Sequence, residues 1–174
     1  MKEQSFFQLS QDAVNQLAER YGTPLLVLSL EQVEKNYDLL RTHIPQMKIH
    51  YAMKANPDLR ILETMINKGS EFDVASDGEI NLLSSIGVSG DRMIYANPIK
   101  TESGLQACVE AGVTRMTFDS ETEIAKIARF VPHATVLLRL RIDNPAAHVD
   151  LNKKFGAPRE KAMELMLKAR EAGL

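Results

Sequence analysis

A single cysteine in 174 residues, Cys108, excludes an internal disulfide framework. It lies in Leu105-Gln-Ala-Cys108-Val-Glu-Ala111, a helical pattern in which cysteine reads as a small core residue. An excess of charge of either sign is also missing: 21 basic residues stand against 23 acidic ones, a formal net charge of -2. With no polybasic run, the composition argues against nucleic acid and against a membrane surface as partners. No apolar stretch approaches the ~20 residues that cross a bilayer, and Met1-Lys-Glu-Gln-Ser-Phe-Phe-Gln-Leu9 lacks the core of a signal peptide. The expectation is a cytoplasmic protein. His43, His50, His133 and His148 have no metal-ligand spacing, so no metal is expected. No low-complexity segment interrupts the chain.

What the sequence does contain is a rhythm. Short apolar runs occur at 24–30, 48–54, 71–76, 93–96, 115–119 and 134–142, and several are β-branched. Amphipathic stretches of helical period lie near 10–21, 31–43, 58–68, 77–86, 101–111, 120–130 and 158–172. Ser76-Asp-Gly-Glu79 has the pattern of a capping box, and Ser120 precedes acids in a first helical turn. Gly69, Gly87 and Gly112 follow helical stretches that a left-handed glycine can close. Alternation of strand and helix predicts parallel strands with crossover helices, hence an α/β protein. An open dinucleotide-binding sheet would show G-x-G-x-x-G after its first strand, and none is present. A closed (β/α)8 barrel normally needs ~250 residues, so the pattern leans only slightly toward an incomplete one.

The run Ile49-His-Tyr-Ala-Met-Lys-Ala-Asn-Pro57 bears most directly on chemistry. Strand alternation puts His50, Ala52 and Lys54 on one face, with Lys54 at the C-terminal end before the turn at Asn56-Pro57. In a barrel that end is the catalytic face. A lysine partly desolvated there would favour its neutral amine, which can form an imine with an aldehyde. A lysine that snorkels into solvent at a strand end fits the spacing alone at least as well. His50, one turn deeper on the same face, reads as a packed core histidine.

Tyr51-Ala-Met-Lys-Ala-Asn-Pro57 resembles the cofactor-lysine motif of the fold-type III enzymes that use pyridoxal 5'-phosphate (PLP). Phe72-Asp-Val-Ala-Ser-Asp-Gly-Glu79, Ile94-Tyr-Ala-Asn-Pro98 with Lys100, Thr117-Phe-Asp-Ser120 and Lys154-Phe-Gly-Ala157 follow in the order and spacing of the ornithine/lysine decarboxylases. The resemblance implies a (β/α)8 TIM-like barrel plus a second β-domain. On that reading residues 1–43 form an N-terminal segment whose strand at 23–30 joins the β-domain. Residues 44–174 are then the first part of the PLP-binding barrel, about five strands, stopping before the sixth.

The same resemblance implies the site. Lys54 carries PLP. Asp73 is the aspartate beside it, Glu79 a glutamate near the cofactor (which capping would also explain), and Arg139 an arginine on the fifth barrel strand. Asp73, Glu79 and Arg139 each also have a plain structural reading. Arg141 departs from the family, which generally has a small uncharged residue there, and by alternation it shares the Arg139 face. Lys154 is either structural or local to the site. The implied activity is decarboxylation of ornithine to putrescine or lysine to cadaverine, in polyamine biosynthesis, by a homodimer acting on a small amino-acid substrate. The phosphate cradle, the histidine that stacks on the ring, the acid facing the ring nitrogen and the partner-subunit residues are implied to lie downstream. The 174 residues alone are thus expected to be inactive.

Two other readings stand beside this one. Another PLP enzyme of the same fold would be diaminopimelate decarboxylase or alanine racemase, the latter disfavoured because Asn56 is followed by Pro57-Asp58. A non-catalytic decarboxylase homologue that binds a regulator is the third, against which the retention of Lys54, Asp73, Glu79 and Arg139 argues.

Overall fold

The computed structural model describes residues 7–142 and 154–174, and His148 lies outside them. Seven α-helices and five strands run in the order α1 (Gln11–Tyr21), α2 (Leu30–His43), β1 (His50–Ala52), α3 (Leu59–Asn67), β2 (Glu71–Val74), α4 (Asp77–Ser85), β3 (Met93–Tyr95), α5 (Glu102–Ala111), β4 (Arg115–Phe118), α6 (Glu121–Phe130), β5 (Thr135–Leu138) and α7 (Ala162–Glu171). The helix starts have identifiable causes. The hydroxyls of Ser29, Ser76 and Thr101 accept from Gln32, Glu79 and Gly104 amides, satisfying donors that the helix leaves open. Ser120 occupies the expected N-cap position, but its hydroxyl lies 3.2 Å from Thr122 Oγ1 rather than on a backbone amide. Gly69, Gly87 and Gly112 all have the positive φ expected of them.

The chain divides into two units. The first comprises Met1–Met47 with Asp58–Gly69, and the second Lys48–Pro57 with Ser70–Leu174. Helix α3 thus groups with the N-terminal helices. Within the first unit, Lys68 at the C-terminal end of α3 reaches Asp38 of α2 at 2.7 Å. The stretch Leu25–Ser29, expected within a strand, belongs to no ladder, and Leu26 is 91% exposed. A strand requires a partner edge for its backbone groups, and none of the described residues supplies one.

The second unit is a parallel sheet in the order β1-β2-β3-β4-β5, with sequential neighbours paired throughout. Sequential parallel order with intervening helices is the winding of a (β/α)8 barrel carried to its fifth strand, and the five strands form an open sheet. Phe72, Val74, Met93, Tyr95, Met116 and Phe118 alternate onto one face and are all buried. Helices α4–α7 bury Ile80, Leu83, Leu105, Cys108, Ile124, Ile127, Leu165 and Ala169. Helix α5 stands so close to Tyr95 that a Cβ on Gly104 would come 2.7 Å from its hydroxyl. The opposite face carries Glu71, Asp73, Arg115 and Thr117, all half-buried. One apolar and one polar face place the chemistry on the polar one.

Candidate active site

Each end of the polar face holds a cluster. At the N-terminal end, Glu71 meets Lys48 at 2.7 Å, Arg115 at 2.6 Å and His50 Nε2 at 3.4 Å. Burial would raise the Glu71 pKa, but the hydrogen bonds from Lys48 and Arg115 hold it below the usual glutamate range. Lys48 and Arg115 balance the Glu71 charge in what reads as a structural ion network, while His50 Nδ1 is buried with no hydrogen-bond partner among the described residues. Here His50 is a neighbour of an ion pair rather than a histidine packed only among apolar groups.

The C-terminal end holds a cleft of ≈ 360 Å³. Its walls are Lys54 after β1, Asp73 and Ala75 on and after β2, Ala96 and Asn97 after β3, Arg139 after β5, and Lys154 and Phe155 from a later turn. The position agrees with the rule that barrels work at the carboxyl ends of their strands.

Lys54 is not itself on a strand. The ladder of β1 ends at Ala52, and Met53–Ala55 form a 3-10 turn, so alternation does not set the direction of Lys54. Met53 is fully buried and pins the turn, while the Tyr51 hydroxyl donates to the Asn56 carbonyl at 2.9 Å across its base. Lys54 projects between these anchors and is exposed. Burial of the kind expected for it is not seen in this open five-stranded sheet.

Asp73 lies on the Ala75 face of its strand, opposite buried Phe72 and Val74, as alternation predicts. Burial pushes its carboxyl above the usual aspartate range, and the positive charges of Lys54, His50 and Arg139 act against that rise. Arg139 is held through its backbone: its amide donates to Phe118 O at 2.8 Å and its carbonyl accepts from Ala157 N at 2.9 Å. Its guanidinium sits 5.3 Å from the centre of the Phe155 ring, and Lys154 Nζ 5.8 Å from the same ring. Three cationic side chains and one carboxylate thus line the cleft, which suits a ligand bearing negative charge.

The supporting turns are fastened from behind. Buried Lys100 donates to the carbonyls of Asn97 (3.0 Å) and Thr117 (2.6 Å), and Thr117 Oγ1 donates to Ala96 O at 2.6 Å. These bonds fix the Ala96–Asn97 wall. Glu79 accepts from the Ala75 amide at 2.6 Å, one residue before the site a regular capping box would use.

Three of the four expected site residues, Lys54, Asp73 and Arg139, meet in the cleft. Glu79 is not among its lining residues and touches it only through the Ala75 backbone. Lys154, expected as either structural or local to the site, lines the cleft, whereas Arg141 does not. Phe155 and the Ala75, Ala96 and Asn97 walls were not singled out, although each lies inside a motif read from the sequence. The glycine in Lys154-Phe-Gly-Ala157 was the available signal for a tight turn beside the site. Among the described residues no group of three or more His, Cys, Asp or Glu side chains could hold a metal ion. No described helix is long and apolar enough to cross a membrane.

A primary amine open to the cleft, a half-buried carboxylate beside it and alanines leaving flat space between strand ends together fit a planar anionic aldehyde such as PLP. Comparison with known proteins agrees. Residues 30–174 match the family described as pyridoxal-dependent decarboxylase, pyridoxal binding domain. The chain is 51% identical over 168 residues to the lysine/ornithine decarboxylase of Selenomonas ruminantium, covering 97% of this chain and 43% of that protein. A crystal structure of lysine decarboxylase from the same organism superposes with a TM-score of 0.91 at 50% identity, covering 97% of this chain and 44% of the other. The lysine/ornithine decarboxylase of Vibrio vulnificus, complexed with putrescine, superposes with a TM-score of 0.83 at 27% identity, over 96% of this chain and 44% of that one. The chain spans less than half the length of the relatives it matches. It belongs to the pyridoxal-dependent decarboxylase family, and its matched region is that family's pyridoxal-binding domain.

Proposed function

We propose that this chain is the PLP-binding part of a decarboxylase that acts on ornithine or lysine, releasing putrescine or cadaverine for polyamine synthesis. The observation that carries the reading is the convergence of Lys54, Asp73 and Arg139 on one cleft at the carboxyl ends of the strands. Similarity to enzymes named for lysine and ornithine supports the substrate class. When bound, PLP supplies an electron sink for the carbon that loses carbon dioxide.

The residues of this chain have separate tasks in that reading. The Lys54 amine is the attachment point for the aldehyde. The Asp73 carboxylate places a negative charge beside the Lys54 side chain. Arg139 offsets negative charge at the cofactor, and Lys154 adds a second cation to the same wall. Glu79 keeps the Ala75 backbone in place, bounding the space for the ring. In this reading the intact enzyme is a cytoplasmic homodimer with a closed barrel, and the 174 residues by themselves are inactive.

The test is the absorbance of the complete protein with PLP, before and after Lys54→Ala. Wild type should show a near-visible band from the lysine–cofactor linkage and turn over ornithine or lysine, and the variant should lose both. A folded wild type without the band would overturn the reading and favour a regulatory homologue. Turnover of diaminopimelate in preference to ornithine and lysine would move it to the other decarboxylase branch.

A further inference from the structure

We propose that Asp119 is a positioning residue for the cleft: through the Gly156 amide, its carboxylate fixes the turn that presents Lys154 and Phe155 beside Arg139. The Gly156 amide donates to Asp119 Oδ2 at 2.8 Å, across 37 residues of sequence. The same turn is tied to the end of β5, since Ala157 N donates to Arg139 O and Arg141 N donates to Ala157 O, both at 2.9 Å. It is thus stretched between two strand ends, with β4 holding it by a side chain and β5 by backbone.

Gly156 has φ +105, and a Cβ there would come 2.8 Å from Arg141 N. No side chain can therefore anchor the turn at that position, and its amide is the available handle. Asp119 does not line the cleft. It borders a neighbouring hollow beside Pro158, Lys161 and the start of α6, so its effect on the cleft passes through the turn. Releasing the turn frees Phe155 from Arg139 and lets the Lys154 ammonium leave the wall. Both changes act on whatever anionic ligand group the cleft holds. The proposal joins two motifs, Thr117-Phe-Asp-Ser120 and Lys154-Phe-Gly-Ala157, that are distant in sequence.

The consequence for substrate rests on the decarboxylase reading, whereas the latch itself does not. The test uses the complete protein and begins without cofactor, reading amide exchange by mass spectrometry. In Asp119→Ala the peptide spanning residues 155–158 should exchange about tenfold faster or more, as expected for loss of one charge-assisted hydrogen bond. Exchange in the rest of the sheet should not change. With PLP and ornithine or lysine, KM should rise about tenfold while kcat stays within about threefold, because ground-state binding is lost. Asp119→Asn, whose side-chain carbonyl still accepts from Gly156, should restore both. If Asp119→Ala does not fold, Asp119→Ser takes its place, because the shorter side chain cannot span to the amide. Unchanged exchange at the turn, faster exchange spread evenly over the sheet, or local loosening with KM unmoved would each overturn the proposal. A wild type lacking the cofactor band would defeat the decarboxylase reading alone, and the exchange result would still decide the latch.

Discussion

Lys100 Nζ stands 3.1 Å from Glu123 Oε1, and neither side chain is more than 4% exposed. Burial pushes the Lys100 pKa down, and the Glu123 charge works against that shift. The carboxylate also holds Lys126 at 2.8 Å and accepts the Lys100 amide at 3.0 Å. This buried network bolts the β3 and β4 ends behind the cleft. Glu123→Ala strands the Lys100 ammonium among carbonyls and should cost ~3–5 kcal/mol of unfolding free energy. A double replacement, Lys100→Met with Glu123→Leu, should cost less than the sum of the two single ones. Urea unfolding of Glu123→Ala, of Lys100→Met and Glu123→Leu singly, and of their combination measures this, and strict additivity would sink the account.

Cys108 should be silent in the folded protein. Burial pushes its thiol up to about 12, against the opposing charge of Lys100. A thiol reagent at pH 8 should leave Cys108 unmodified until denaturant exposes it. Rapid stoichiometric labelling under native conditions would contradict its place in the core.

Asp73 ties stability to pH in a definite direction. Its carboxyl is raised by burial in the folded state, so the folded protein holds that proton more tightly than the unfolded chain does. The contribution favours folding below the ordinary aspartate range, near pH 4, and is lost as pH rises through the folded-state value. Asp73→Asn cannot ionise. Its stability relative to wild type should therefore climb from pH 4 toward neutrality, and a flat or falling difference in denaturation curves would refute the assignment.

Two glycines offer a matched comparison. A Cβ on Gly90 would overlap the Ala111 carbonyl and the Gly112 backbone, whereas one on Gly78 in α4 meets only Ser76 Oγ at 3.9 Å. Gly90→Ala should lower stability by at least ~1–3 kcal/mol through overpacking against backbone. Gly78→Ala should be neutral or stabilising by ~0.5–1 kcal/mol, because alanine loses less entropy in a helix. Thermal midpoints of the two variants check the contrast.

Much of this architecture was legible in one dimension. The alternation of apolar runs with helical stretches located the seven helices of the described residues, the first six starting within a residue of the expected place and α7 four residues later than expected. The opposite facings of Phe72 and Asp73 followed from period two. Less legible was any feature whose cause lay elsewhere in the chain. The extended stretch at 25–29 reads as a strand but lacks an edge to pair with among the described residues. Lys54 was placed at a strand end, yet the ladder stops two residues earlier because Met53 turns inward to the core.

The sequence by itself determined the elements, their order and the residue types available for chemistry, because propensity, capping and periodicity act over a few neighbouring residues. Only the tertiary structure decided which of those residues meet. Lys154 joins the cleft because the Asp119 carboxylate and the β5 backbone hold its turn there. Glu79 meets the Ala75 amide because it lies three residues past the Ser76 N-cap of α4, where its side chain turns back over the helix start. Arg139 reaches Phe155 while Arg141 does not line the cleft, although alternation gives the two the same face. Such outcomes depend on packing between strands 20 to 40 residues apart, and local patterns contain no term for that contact.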